Sequence, residues 1–198
     1  MFSRLAQRLA YFFVEKNVIK INEIEVYRYG YEILIAETVN WIITIIIALF
    51  SRTIIETSVY MLAFMRLRGA VGGFHSKSHI GCIIISTIVY VLCLYIIYRT
   101  PMELYWILII IGLILHIVLV RAIAPVAHPN KPFIDEQECL RFRKQSYKLT
   151  FVYSSMCIMI FLSSSSTLKV YSYCIVLGML SASISMLVEH IRQRHNEI

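Results

Sequence analysis

The sequence predicts an all-α integral membrane protein. About six transmembrane helices are expected, the second short or partly re-entrant, behind an N-terminal amphipathic helix lying in the interface. Three observations predict this class. Hydrophobic residues make up 59% of the 198, and mean hydropathy is +0.71. Charged residues make up only 16%, where a soluble domain carries about 25%. The apolar residues also gather into long runs separated by short polar turns. A single membrane domain over residues 1–198 is expected. The first 30 residues hold eight charges and no continuous apolar core with a small-residue cleavage site, so no secretory signal peptide is expected.

The elements follow in order. Over residues 1–20, Phe2, Leu5, Ala6, Leu9, Phe12 and Phe13 recur at spacings of three and four, with Arg4, Gln7, Arg8 and Glu15 on the other side. That pattern fits an amphipathic helix in the cytoplasmic interface, or one packed on the membrane domain. Asn22 stands where an N-cap for the next helix is expected. Apolar runs then place spans near 33–51, 53–65, 80–98, 104–120, 149–168 and 170–188. The second run is short for a hydrocarbon core that needs about 20 helical residues, unless it borrows from the polar stretch after it. The third carries no charge and closes at Arg99-Thr100-Pro101. A long basic loop, 121–148, separates the fourth span from the fifth.

Orientation follows from lysine and arginine. With six spans and the N-terminus inside, 16 of the 19 basic residues fall on the cytoplasmic side; only Arg52, Arg99 and Lys169 fall outside. This positive-inside bias places both termini and the loop 66–82 in the cytoplasm of a multi-pass cell-membrane protein. The net charge of +7 suits a bilayer with anionic headgroups. Nucleic acid is not an expected partner, because the basic residues lie in short loops between spans.

The stretch from Met65 to Cys82, MRLRGAVGGFHSKSHIGC, is the most polar interruption of the apolar pattern. It holds Gly69, Gly72, Gly73 and Gly81, the basic residues Arg66, Arg68 and Lys77, and His75, His79 and Cys82. The five cysteines, Cys82, Cys93, Cys139, Cys157 and Cys174, are odd in number and mostly lie in apolar runs, which is no disulfide framework. Cys82 stands apart. If a helix begins near Ser78, its thiol lies in the first turn, where the helix dipole, Lys77 and Arg68 favour the thiolate. His75, seven residues upstream, is placed to take the thiol proton and return it to a leaving amine. Backbone N–H groups at the helix start are suited to hold an oxyanion.

Spacing alone leaves three readings open: a buried packing cysteine, a Cys82–His75 dyad, or a metal site. In the last, His75, His79 and Cys82, at i, i+4 and i+7 of one continuous helix, share a face. Three further features bear on the choice. Glu32 lies near the cytoplasmic end of the first span, within expected reach of His75, while Glu37 and Glu56 sit in or beside the first two spans. Such acids are costly in a membrane and often functional, so a peptide transporter without proteolytic chemistry is an alternative. Asn40 and His116 fit helix–helix hydrogen bonding.

Three segments taken together, YRYGYEIL, RLRGAVGGFHSKSHIGC and APVAHPNKPF, resemble the accessory gene regulator B (AgrB) proteins of Gram-positive quorum sensing. The resemblance extends over nearly the whole chain, in size, span number, basic loops and motif order. Arg68, Gly73, His75 and Cys82 match the family's pattern, and Glu32 falls where the family tends to carry Glu or Gln. The resemblance implies a membrane cysteine endopeptidase that cleaves an AgrD-type propeptide and cyclises it to an autoinducing thiolactone or lactone. On it, Cys82 is the nucleophile and His75 the base. Glu32 and Arg68 have supporting or substrate-binding roles, and Gly72 and Gly73 shape the turn. Pro125, Lys131 and Pro132 are motif residues of structural kind. It implies a homodimer, and no cofactor or metal.

Overall fold

A computed structural model describes residues 2–74, 76, 78–127, 134–163 and 165–196. The described residues form α-helices and short turns. Seven helices follow in order: α1 (Phe2–Glu15), α2 (Ile24–Ser51), α3 (Ile54–Val71), α4 (His79–Arg99), α5 (Tyr105–Ile123), α6 (Glu136–Phe161) and α7 (Ser166–Asn196). Single 3₁₀ turns, Ile21–Glu23 and Met102–Leu104, lead into α2 and α5. The cap of α2 is therefore Glu23, one residue later than the sequence predicts, because the 3₁₀ turn absorbs Asn22.

Among the described residues, four helical segments are long and apolar enough to cross a bilayer: Ile21–Ser51, His79–Arg99, Met102–Ile123 and Ser166–His195. These are four of the six expected spans, and the helices differ from the expected runs where hydropathy and helix length part company. The short second run becomes an 18-residue helix, α3, about 27 Å long. It runs on through Arg66, Arg68 and Gly69, which hydropathy assigns to a loop. The expected fifth span, 149–168, ends early, since α6 stops at Phe161 and α7 begins at Ser166; α6 itself starts far upstream at Glu136, capped by Asp135, whose side chain accepts from the Glu138 N–H. The expected sixth span, 170–188, is the middle of a 31-residue helix, about 46 Å long. That exceeds a hydrocarbon core of about 30 Å, so its polar C-terminal turns extend beyond it.

The chain divides into two compact units, Met1–Arg52 with Ser76–Tyr90, and Thr53–His75 with Val91–Ile198. In the first, α1 packs on α2. Ala6 and Ala10 are fully buried, and the Phe13 and Tyr31 rings stack at 5.7 Å. Packing is thus present for the N-terminal helix, and the helix ends at Glu15 rather than near residue 20. Along α2, Ala36, Thr44 and Ala48 are buried in register with Glu32 and Asn40, a stripe repeating every four residues. Its large apolar residues, among them Ile42, Ile46 and Phe50, are exposed, as on a lipid-facing surface. The Ser86 hydroxyl of α4 donates to Asn40 Oδ1 at 2.8 Å, the interhelical role its position predicts.

In the second unit, α7 is central and packs against α3, α5 and α6. Two glycines permit close approach. A methyl at Gly178 would meet the Tyr60 carbonyl of α3 at 2.7 Å, and one at Gly112 of α5 would collide with Val176 of α7. His116 of α5 is completely buried and ties three helices. Its Nδ1 lies 2.6 Å from Ser183 Oγ and 3.1 Å from the Met179 carbonyl, and its Nε2 lies 3.0 Å from Thr150 Oγ1. Cys93, Cys157 and Cys174 are buried free thiols, consistent with packing.

Candidate active site

The glycine-rich stretch begins with the end of α3. Gly72 has φ +79° and ψ −171°, a region open essentially to glycine alone. A side chain there would also strike the Val126 carbonyl. That approach is held in place from the other side, because the Val126 N–H donates to the Val71 carbonyl at 2.9 Å. The two motif segments, 72–74 and 124–127, are thus pinned to each other within the second unit. Gly73 is buried, with no room for a methyl beside Ser185 Oγ and Arg68 Nη1.

Phe74, the residue before His75, is held at every polar atom of its backbone. Its N–H donates to the Ser185 carbonyl at 2.9 Å and lies 3.1 Å from Ser185 Oγ. Its carbonyl accepts from Arg68 Nη2, while Arg68 Nη1 donates to Ser185 Oγ. A planar guanidinium thereby bridges the turn and α7. Across the Phe74 ring lies the Arg192 guanidinium, 5.6 Å from the centroid. His75, Lys77, His128, Pro129, Lys131 and Pro132 lie outside the described residues, so the expected base and two of the expected motif positions have no described geometry.

Cys82 belongs to the first unit. Ser78 caps α4: its Oγ accepts from the Gly81 N–H at 3.1 Å, and its carbonyl accepts from the Cys82 N–H at 3.1 Å. The thiol therefore sits in the first turn, as predicted, half-buried and unoxidised. Its place is where the partial positive charge of a helix N-terminus is strongest. Gly81 leaves room for the Ser76 and Ser78 hydroxyls, which a methyl would meet at 2.5 and 3.0 Å.

Glu32 has a partner the sequence reading did not assign to it. Its Oε2 lies 3.4 Å from His79 Nε2, joining α2 to the first turn of α4. The Phe2 ring of α1 meets the same imidazole edge-on, at 6.1 Å. His79 is thus engaged one turn before Cys82. Within the described residues α4 begins at His79, so of the three residues of the metal reading only His79 and Cys82 are placed on it, and His75 lies outside the described residues. Among the described residues no group of three or more His, Cys, Asp or Glu side chains is placed to hold a metal ion.

Arg68, Gly72 and Gly73 therefore come together with Ser185 and Phe74, while Glu32 and Cys82 lie in the other unit. Three residues of α7 were missed: Ser185, Glu189 and Arg192. The signal was their spacing, i, i+4 and i+7, which continues a helical face past the point where hydropathy falls.

A model of the family described as accessory gene regulator B matches residues 6–186, most of the chain. The protein belongs to the AgrB family. No curated protein and no solved structure matches it. The match runs across α1 to α7, so the AgrB pattern includes the end of α3, the start of α4 and the 124–127 turn alike. Family membership associates this chain with quorum-sensing propeptide processing in a multi-pass membrane setting.

Proposed function

We propose that this AgrB-family chain is a membrane cysteine endopeptidase that cleaves an AgrD-type propeptide and cyclises the product. The family match over residues 6–186 carries the reading; the free thiol of Cys82 in the first turn of α4 supports it. In the proposed chemistry His75 removes the Cys82 proton, and Sγ attacks a backbone carbonyl of the propeptide. The C–N bond breaks, imidazolium protonates the departing amine, and the C-terminal tail leaves. The acyl group remains on Cys82 as a thioester. An internal cysteine or serine of the propeptide then attacks that carbonyl, closing a thiolactone or lactone, and the Cys82 thiolate takes up the proton released. Exchange of one thioester for another is close to balanced, so removal of the tail helps drive the sequence. Water must be excluded, because hydrolysis competes with closure; an interface walled by helices suits that need.

The same proposal takes α3 and α6 as the second and fifth crossings, with both termini and residues 66–82 cytoplasmic, and takes the working form as a homodimer. The test is intact mass spectrometry of the protein in bilayers after incubation with its cognate propeptide. An acyl adduct on the wild type, absent from Cys82→Ala, is the expected result. An uncut propeptide and no adduct, with a substrate of proven identity, would overturn the proposal in favour of a transporter.

A further inference from the structure

Helix α1 carries more apolar surface than α2 covers. Ala6 and Ala10 are fully buried where α1 packs on α2. Leu5 and Phe12, seven residues apart and so on one stripe, stand 48% and 50% exposed. The next stripe around the helix holds Arg4 and Arg8, four apart. Like charges at that spacing repel and favour an anion shared between them. Lys16 completes a basic rim, its Nζ 5.8 Å from the centroid of the Phe12 ring. A shallow groove runs along this outer face, with Arg4, Arg8, Tyr11 and Phe12 in its lining. Glu15, at the C-terminal end, is the helix's one acid.

The place of α1 indicates what meets this face. The Phe2 ring meets His79 edge-on at 6.1 Å, and Phe13 stacks on Tyr31 at 5.7 Å. His79 opens α4 and Tyr31 lies in the N-terminal third of α2, and both helices are long and apolar enough to cross a bilayer. The contacts Glu32–His79 and Asn40–Ser86 follow the same order along both helices, so α2 and α4 run parallel and begin on one side. Helix α1, about 21 Å long, therefore runs between the beginnings of two such segments, where membrane-crossing helices meet lipid headgroups.

We infer that the outer face of α1 is a seat for an anionic lipid leaflet: headgroup phosphates meet Arg4, Arg8 and Lys16, while Leu5 and Phe12 enter the boundary with the acyl chains. An apolar stripe bordered by cations and a tyrosine is the composition of helices that lie in that interface. An acidic peptide would satisfy the arginines alone. The exposed leucine and phenylalanine call for an apolar phase beside the charges, and a leaflet supplies both at once. The inference stands apart from the chemistry proposed for Cys82.

The experiment uses the full-length protein in nanodiscs of phosphatidylcholine alone, or of phosphatidylcholine mixed with phosphatidylglycerol. Hydrogen exchange over α1 is read by mass spectrometry. Wild type is expected to exchange more slowly in α1 when phosphatidylglycerol is present. High salt is expected to erase the difference, since it screens exposed charges. Each basic residue near an anionic surface shifts the seating equilibrium about fivefold. Arg4→Gln/Arg8→Gln is therefore expected to lose about 30-fold of the added protection, while matching wild type in phosphatidylcholine. Phe12→Gln, with both arginines kept, is expected to reduce the added protection too; an unchanged response would overturn the apolar half of the seat. Equal exchange of wild type in the two lipids overturns the inference. So does a loss of protection in the arginine variant that is the same in both lipids, because a packing defect against α2 produces that. Protection of α1 that follows added propeptide and not phosphatidylglycerol makes the propeptide the occupant and overturns it as well. Cys82→Ala is expected to show the wild-type lipid response, so the seat and the proposed peptidase chemistry fail or stand separately.

Discussion

Gly72→Ala tests whether the turn before His75 is as tightly determined as its geometry implies. Two costs add. Any residue other than glycine at φ +79° and ψ −171° carries strain of about 1–3 kcal/mol. The new methyl also displaces the Val126 carbonyl, and moving that segment breaks the 2.9 Å bond from the Val126 N–H to the Val71 carbonyl, worth about 0.5–1.5 kcal/mol net. The expected loss is about 2–4 kcal/mol, concentrated in residues 71–74 and 124–127. Gly69→Ala is the matched control. It lies within α3, its added methyl meets nothing within 4 Å, and alanine gains up to about 1 kcal/mol over glycine in a helix. Hydrogen exchange by mass spectrometry reads the local effect: the Val126 amide loses protection in Gly72→Ala and keeps it in Gly69→Ala. Propeptide cleavage falls about 100-fold in the first and is unchanged in the second. Unaltered Val126 protection with cleavage near the wild-type rate in Gly72→Ala would refute the reasoning.

Three further predictions rest on other contacts. Arg68→Lys keeps a charge but loses the planar fork that reaches both Ser185 and Phe74, so cleavage is expected to fall nearly as far as in Arg68→Ala; full activity of the lysine variant would mean that Arg68 acts by charge alone, for instance on an acidic propeptide tail. His116→Ala removes the link among α5, α6 and α7. Ser183 can turn to the Met179 carbonyl four residues back, which limits the loss to about 1–3 kcal/mol, measured as unfolding in detergent with cleavage per folded molecule unchanged. Glu32→Gln weakens the contact to His79, costs under about 1 kcal/mol of global stability as a partly exposed pair, and speeds amide exchange in the first turn of α4; unchanged exchange there would show that the pair does not hold that turn.

What the sequence made legible was the bilayer, and what it hid was helix that leaves the bilayer. The uncharged runs 80–98 and 104–120 stand within a few residues of α4 and α5 because their hydropathy and their helical extent coincide. At the end of α3 they do not. Arg66 and Arg68 lower the hydropathy, yet arginine is nearly as good a helix former as leucine, and Gly69 costs only about 1 kcal/mol. The helix therefore continues until Gly72, where the backbone rather than the polarity ends it. Asn40 and His116 were identifiable as interhelical groups, since polar side chains in apolar runs must find partners. The contact of Glu32 with His79 was not, because proximity along the membrane normal pointed to His75 and did not show that His79 opens α4.

Glu189 shows the same limit most sharply. Read by polarity, residues 189–196 are a tail. Read by period, Ala182, Met186 and Glu189 continue one buried stripe of α7 at steps of four and three. A carboxylate on that stripe has no solvent to turn to, so its partners must come from the chain, and among the described residues these include the arginine and glutamine on the next turn. Those two side chains reach the Phe74 ring and the Ala127 carbonyl. The length of α7 beyond the hydrocarbon thus has a mechanical consequence: it gives two otherwise irregular loops a rigid surface to be fastened to. A truncation that stops α7 after Val188 removes Glu189, Arg192 and Gln193 together. It is expected to raise amide exchange at residues 72–74 and 124–127 while the helices upstream keep theirs. Unchanged exchange in both loops after that truncation would mean that they hold each other through Val71 and Val126 without α7.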